Sequence, residues 1–517
     1  LYWWKNKEAL AEKIKKGKSF IKRLSTIEKC AAILPVVSLL LYCYIPDQFY
    51  DAEYYHYQQI RWNEEFKVVP GLANLEDRFG FNSNYLLVSA IFTFRFLFKE
   101  AHYTLQSVVF LCMIYWTLAS FITSGHKVQY IVLFFLFSLV FLTQSYMFGA
   151  SSTDIIPILC SLYYLTKIII SPDVVKKQPL LIFLLPVLLV TFKLSSGILG
   201  LVCIYICVYL IKQKKYKHFL FLLSASVFII VPWLIRNIIV SGYLVYPVYI
   251  VDIFSFDWKV PETSTILQYI HVENYAKDMF SLTFHNFLSL KPGDTINFVF
   301  FIIISISPLF VSYLYWKNKI VNRYLAIYLF IMTCIIFSLY TAPDFRFFYG
   351  YLLAGIFLLY ILIFPLQGKS RRISILGNCS FCLIISAWLF LSVNKFIDAT
   401  NHINLQFTKI SDIAMLYRQR GVKILSSFRE YKLGEHTIYI TYKKEDNRTF
   451  DVIPATSPYG IPYEPFIGLR MQDIRTIETR GENIGDGFRT KKEYIDIIER
   501  NREKYIEEYY LYWKNTQ

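Results

Sequence analysis

Apolar runs close to ~20 residues, the length that crosses ~30 Å of hydrocarbon as a helix, follow one another through most of this chain, and clusters of Lys and Arg separate many of them. Run length therefore carries more information here than periodicity. Of 517 residues, 55% are hydrophobic, 18% aromatic and 18% charged. That is far more apolar side chain than a soluble core of this size needs, so the bilayer is the expected solvent. The fold class expected is an all-α polytopic membrane protein.

The formal charge of +16 invites a nucleic-acid reading, but the basic residues fall mostly in short clusters between apolar runs, as topology determinants do. Nucleic acid is not an expected partner; membrane lipids are. All nine cysteines, from Cys30 to Cys382, lie in or beside apolar segments, so no disulfide framework is implied. Cys379 and Cys382 form a CxxC that reads as packing within a span. A long basic stretch precedes the first apolar run, so a cleaved signal is not expected.

Residues 5–29 carry nine Lys or Arg, which places a cytoplasmic basic N-terminus at 1–29. Spans are expected near 30–46, 103–122, 129–147, 154–170, 179–192, 195–211, 219–235, 297–316, 323–341, 347–366 and 373–393. One further run, 84–99, is ambiguous. If it crosses, the basic loops around Lys176-Lys177 and Lys212 to Lys217 face outward, against the positive-inside rule. If it lies in the interface or re-enters, those loops, with His126-Lys127, Lys317 to Arg323 and Lys369 to Arg372, are all cytoplasmic. The run is also short and interrupted by Arg95, which an interfacial helix tolerates better. The expectation is thus about eleven transmembrane helices in a domain spanning 30–393, with a juxtamembrane first outward loop (47–102) and a second long outward loop (236–296). Residues 394–517 form a small, mixed extracytoplasmic region, either an exported domain or a cap, with a Pro/Gly-rich stretch at 457–465 and a charged helical pattern after Lys491.

Candidate chemistry lies on the outward side. In Tyr50-Asp-Ala-Glu-Tyr-Tyr-His-Tyr-Gln-Gln-Ile-Arg-Trp62, helical geometry puts Asp51, Tyr55, Gln58 and Trp62 on one face and Glu53 well round from it. A carboxylate held among aromatics at a membrane surface suits a general base toward an acceptor hydroxyl; the bland alternative is a helix N-cap. Asp154, in Ala150-Ser-Ser-Thr-Asp-Ile155, carries the same two readings. Lys193 stands at an outward turn, where snorkelling is the alternative. Arg236 follows Pro232-Trp233, and Arg346 stands in Ala342-Pro-Asp-Phe-Arg346. Each offers a lipid phosphate a forked, permanently charged donor set, or else anchors a helix end at the interface. Taken together, these residues put anion binding and a carboxylate at one membrane surface between apolar walls. No Walker-type loop, Gly-rich dinucleotide fingerprint or HExxH motif supports nucleotide-sugar or protease chemistry, and His56 and His102 lack a second metal ligand at a telling spacing.

These residues resemble the GT-C superfamily of membrane glycosyltransferases. The Tyr50-Asp51 segment matches the acidic position that family carries after its first span, and Ser152-Thr-Asp154 looks like the second. Arg236-Asn237, Ser241-Gly242 and Tyr246-Pro247 are similar to a pattern common after its seventh span. The stretch from Val68 to Ser83, containing Arg78, and the turn with Asp344 and Arg346 look like a less characterised bacterial branch. The resemblance covers roughly the first 390 residues. It implies a polyprenyl-linked sugar donor, a glycan, lipid or protein acceptor, a bacterial inner membrane, and a catalytic role for Asp51 first, then Glu53 and Asp154. Donor phosphate then falls to Lys193, Arg236 and Arg346, and substrate contacts to Tyr55, His56, Gln58, Arg78 and Asp344. The family's DxD pair is lacking, so a divalent metal (Mg or Mn) stays open.

The alternatives are a lipid-linked polysaccharide polymerase and a transporter or flippase of lipid-linked glycans. A transporter predicts mid-membrane charges and repeated halves, and neither is apparent in the sequence. A polymerase does not need the acid directly after the first span.

Overall fold

The computed structural model describes residues 24–42, 49–99, 101–288, 292–364, 371–402, 428–441, 448–456 and 474–516, with a few isolated positions before residue 24. Inside hydrocarbon a peptide group has no water to pair with, so apolar runs close their hydrogen bonds internally as helices. The expected spans fall on helices accordingly: α1 (Thr26–Tyr42), then, beyond α2 (Tyr57–Glu65), α3 (Asn84–Phe92) and α4 (Arg95–Phe98), α5 (Leu105–Thr123) and α6 (Val128–Thr143). After α7 (Ser145–Phe148) come α8 (Ile155–Ile170), α9 (Val174–Lys177), α10 (Pro179–Phe192), α11 (Gly200–Lys212) and α12 (Tyr216–Ser241). They are followed by α13 (Glu262–Leu288), α14 (Pro292–Trp316), α15 (Asn322–Thr341), α16 (Phe345–Ile363) and α17 (Arg371–His402).

Among the described residues six helical segments are long and apolar enough to cross a membrane: Leu105–Thr123, Leu194–Lys212, Tyr216–Ser241, Thr295–Trp316, Asn322–Thr341 and Phe345–Ile363. Shorter apolar helices cover Asn84–Phe98, Val128–Thr143, Ile155–Ile170, Pro179–Phe192 and Cys382–Asn394. The chain is an integral membrane protein, mostly helical.

Two segments carry detail that run length alone does not show. The run 84–99 is broken at Thr93-Phe94: Phe94 and Lys99 take left-handed backbone, at φ 54° and 63°. Arg95 pairs with Glu64 at 2.6 Å and with Asp451 at 3.0 Å. The stretch 236–296 is not simply a loop. α12 runs through Arg236 to Ser241, where Gly242 at φ 84° closes it, and the 27-residue α13 fills the second half.

The chain divides into two compact units. The first joins residues 1–46, 107–145 and 361–417. In it α1 lies against α17, where Ser38 and Ser392 hydroxyls meet at 2.6 Å. Trp388 of α17 packs on Phe110, Phe134 and Phe141 of α5 and α6. Glu28 accepts from the Ser25 amide at 2.7 Å and lies 3.5 Å from His126.

The second unit joins 47–106, 146–360 and 418–517. Its C-terminal part holds a sheet in which β1 (Phe428–Leu433) pairs antiparallel with β2 (His436–Thr441), Phe428 opposite Thr441, and β3 (Ala455–Thr456) runs parallel to β2. β4 (Ile477–Thr479) and β5 (Phe488–Thr490) form a second ribbon, followed by α18 (Lys492–Arg500) and α19 (Arg502–Thr516). The Pro/Gly-rich stretch 457–465 lies outside the described residues.

This region caps the segment that follows the first span. Ile438, Ile477 and Phe488 share one buried core with Trp62, Leu75 and Phe79. The Phe488 amide donates to Pro70 O at 3.0 Å. Gly71 and Gly487 sit at this crossing with φ 62° and 100°. A Cβ on the first would overlap the Phe488 carbonyl and one on the second the Pro70 carbonyl, so only glycine allows the approach.

Candidate functional site

The site starts where the backbone widens. Residues Ala52–His56 form a single π-helical turn ahead of α2. Its hydrogen bonds reach one residue further than α-helical ones, so the exposed face slips by a residue. Asp51, Tyr55 and Gln59 therefore line one cavity, in place of the expected Asp51, Tyr55, Gln58 and Trp62. Gln58 instead donates to Val452 O at 2.9 Å and Ala455 O at 2.8 Å, tying down the C-terminal cap, and Trp62 lies in the shared core. Glu53 is also turned toward the cap: it pairs with Arg448 at 2.9 Å, and its carbonyl accepts from the Phe450 amide at 2.7 Å. These positions correct the substrate role expected of Gln58 and the catalytic role expected of Glu53, because both side chains are engaged away from the cavity.

His56 is sealed beneath the turn and is not among the cavity's lining residues. Its Nδ1 donates to Ser151 O at 2.6 Å, and its Nε2 has no hydrogen-bond partner among the described residues. Burial lowers it to about 4, so the ring is neutral at physiological pH. Burial, and next the charge of Asp51, pushes the Tyr55 phenol above its ordinary range and keeps it a neutral hydroxyl.

One wall of the cavity is an ion cluster built from four separate turns. Asp344 grips the first turn of α16, accepting from the Arg346 amide at 2.8 Å and from its Nε at 2.9 Å. Arg346 Nη1 then stands 3.6 Å from Asp154 Oδ2 and 4.0 Å from Asp51 Oδ2. Lys193, between α10 and the 3₁₀ turn Leu194–Leu199, forms an ion pair with Asp154 Oδ1 and lies 4.0 Å from the centre of the Phe347 ring. Among the described residues neither Asp51 nor Asp154 makes a capping bond to its own turn. That removes the N-cap alternative for both. Asp154 and Asp344 are nearly sealed, while the Asp51 side chain is 30% exposed.

The other walls are apolar and aromatic. Phe81, Leu86, Phe192, Tyr246, Tyr275 and Phe347 enclose a cavity of about 260 Å³. Arg78 lines it too, beside Tyr55 and Phe81, and donates to His271 Nε2 at 2.9 Å.

Arg236, like His56, is placed away from its expected role. It does not line the cavity. Its Nε donates to Asn82 Oδ1 at 2.5 Å and its Nη2 to Asn63 Oδ1. Asn82 also donates to Asn237 at 2.7 Å, while its carbonyl accepts from the Trp233 indole at 3.1 Å. The Arg236-Asn237 motif therefore holds the left-handed Asn82 turn, at φ 43°, that follows Arg78 and Phe81. The Arg236 guanidinium is bound to Asn63 and Asn82 and does not face the cavity.

Residues the sequence did not single out include Gln59, Tyr275 and His271. His271 sits mid-helix in α13 with no motif around it, and only the fold brings it to Arg78. The carboxylates of the ion cluster are paired with Arg346 and Lys193, and among the described residues no three His, Cys, Asp or Glu side chains gather as metal ligands.

No curated protein and no solved structure matches the chain. A family model described as a domain of unknown function, DUF8201, matches residues 1–353. That range contains the ion cluster and every residue lining the cavity, and the chain belongs to this family.

Proposed function

We propose that this chain is an inverting glycosyltransferase that moves a sugar from a polyprenyl-(di)phosphate carrier to a glycan, lipid or protein acceptor on the non-cytoplasmic face of a membrane, with Asp51 as general base. The observation that carries the reading is the cavity: a partly exposed carboxylate and two cations, Lys193 and Arg346, face one apolar-walled space. The acceptor hydroxyl gives its proton to Asp51 as its oxygen bonds to the anomeric carbon. The bond from that carbon to the phosphate oxygen breaks on the opposite side, and the electron pair leaves with the phosphate. One displacement inverts the centre. At 3.6 and 4.0 Å, the contacts of Arg346 Nη1 with Asp154 and Asp51 exceed hydrogen-bond length, so this nitrogen has donor capacity for the departing phosphate. Asp154 and Asp344 hold Lys193 and Arg346 in place, Tyr55 and Gln59 contact the sugar, and the aromatic walls take the isoprenoid.

The proposed threading has eleven crossings, a cytoplasmic N-terminus and an extracytoplasmic C-terminal region, in a bacterial inner membrane. The gathering of distant turns supports it. From Asp51 to Asp154, Asp154 to Lys193, Lys193 to Tyr246 and Tyr275 to Arg346, each step covers two expected spans and returns to the same side. A crossing by 84–99 would leave Asp51 and Asp154 on opposite faces, against their common approach to Arg346.

The test is sugar transfer from a panel of radiolabelled polyprenyl-phosphate and polyprenyl-diphosphate sugars by purified protein in lipid. Transfer by the wild type that Asp51→Asn loses supports both the enzyme class and the base. No transfer from any donor by folded protein sinks the reading.

A further inference from the structure

Arg78 differs from the other cations of the cavity in how its charge is met. Arg346 lies among three carboxylates and Lys193 pairs with Asp154, whereas Arg78 Nε lies 3.8 Å from Asp77 and its Nη2 donates to an imidazole. Arginine has donors only, so His271 Nε2 is the unprotonated nitrogen and the ring proton sits on Nδ1. That Nδ1–H donates to the Tyr509 hydroxyl at 2.9 Å. Burial, then the charge of Arg78, brings His271 down to about 3, so it faces Arg78 as a neutral acceptor. Asp77 lies against Glu76, and burial drives both carboxyls upward, with Arg78 acting in the opposite sense on each.

Tyr509 is itself fixed. α19 packs on α13 through Tyr505, Ile266, Leu267 and Ile270. Arg502 pairs with Glu262 at 2.6 Å, and Glu499 accepts from the Thr263 hydroxyl at 2.7 Å. Tyr509 also lies beyond residues 1–353, outside the part of the chain that the family shares.

We propose that Arg78 is a second anion clamp of the cavity, binding a phosphoryl group of the ligand, and that His271 and Tyr509 are its positioning residues, so the C-terminal helix completes the binding site. This rests on the proposed function only in taking the occupant to carry phosphate. The acceptor on His271 fixes one arm of the guanidinium, leaving the others to face the cavity in the planar fork that suits phosphate oxygens.

The experiment measures binding of geranyl phosphate to the full-length protein in nanodiscs, with geraniol as the control lacking phosphate. Arg78→Gln is expected to weaken geranyl phosphate about tenfold and leave geraniol unchanged. The decisive pair is at His271. Gln places its amide oxygen where Nε2 stood and keeps an acceptor for Arg78, whereas Asn places its amide where Nδ1 stood and keeps only the Tyr509 partner. His271→Gln is expected to bind within about twofold of wild type, and His271→Asn about tenfold more weakly. Tyr509→Phe should fall between them. A purely structural role for His271 predicts equal losses from Gln and Asn, and that result, or unchanged binding in Arg78→Gln, overturns the proposal. Unchanged binding in Arg78→Gln combined with transfer lost in Asp51→Asn sinks the clamp alone; no binding of geranyl phosphate by wild type sinks both. Inorganic phosphate as a third probe separates a prenyl phosphate from a free anion, since both use Arg78 but only the former gains from the apolar wall.

Discussion

Asp51 Oδ2 stands 4.0 Å from Arg346 Nη1, on a side chain 30% exposed, although the two residues belong to turns at opposite ends of the second unit's transmembrane sequence. Two more carboxylates surround the same guanidinium, and both are sealed: Asp344 at 2.8 Å and Asp154 at 3.6 Å. Burial divides the roles. On the proposed function, the sealed acids hold the cations and the open one meets the substrate.

That division predicts how two Asp-to-Asn changes differ. Asp51→Asn should cost transfer about 10²- to 10⁴-fold, the usual contribution of a general base, while the thermal midpoint in detergent stays near that of wild type. Asp154→Asn should lower both, because it leaves Lys193 and Arg346 short of charge inside the protein. Single-turnover rates alongside melting curves separate the two, and equal melting losses from both would contradict the assignment.

Lys193 supplies a second test. Removing one partner of a buried ion pair leaves the other uncompensated, so Lys193→Ala should destabilise by about 3 kcal/mol. The double change Lys193→Met with Asp154→Asn should recover much of that stability, since both charges of the pair are removed together and Arg346 keeps Asp344. It should not recover donor affinity. Thermal shifts and geranyl phosphate binding on the two variants and wild type check this, and a double variant no more stable than Lys193→Ala would rule out a pairwise origin.

Helices and the chemistry of the turns were legible because run length and charge are local properties. Asp51, Asp154, Lys193, Arg346 and Arg78 all stood out in the sequence, and all line the cavity. Register was not legible. The π turn at Ala52–His56 moves Gln59 into the cavity and Gln58 out of it, and no residue in Ala-Glu-Tyr-Tyr-His announces a wide turn. Nor was the destination of Glu53, whose partner Arg448 is brought by a chain segment nearly four hundred positions away. His271 was hidden for the same reason: its meaning comes from Arg78 and Tyr509, neither of them near it in sequence.

Arg236 shows the opposite error, a conspicuous residue with a structural role. Its guanidinium is bound to Asn63 and Asn82. Arg236→Ala should therefore lower the melting point by several degrees, because Asn82 loses a charged donor and the turn beneath Arg78 loosens. Geranyl phosphate affinity should change less than in Arg346→Ala, which removes a cation lining the cavity. Titrations of both variants decide the point. If Arg236→Ala lost binding as fully as Arg346→Ala and melted normally, it would have to be returned to the phosphate site.

The buried imidazole of His56 sets a pH dependence whose sign follows from its position. Its folded-state value is about 4 against 6.5 for the free side chain. The unfolded chain therefore binds a proton that the folded chain refuses between those values, and stability contributed by the neutral ring is complete above pH 6.5 and falls as pH drops toward 4. The full difference is ~3 kcal/mol by linkage. His56→Asn keeps a donor for Ser151 O and removes the titration. Melting curves from pH 7 to 4 should fall more steeply for wild type than for this variant, with the two converging in slope above pH 6.5. Parallel curves across the whole range would mean that His56 is not held neutral by burial.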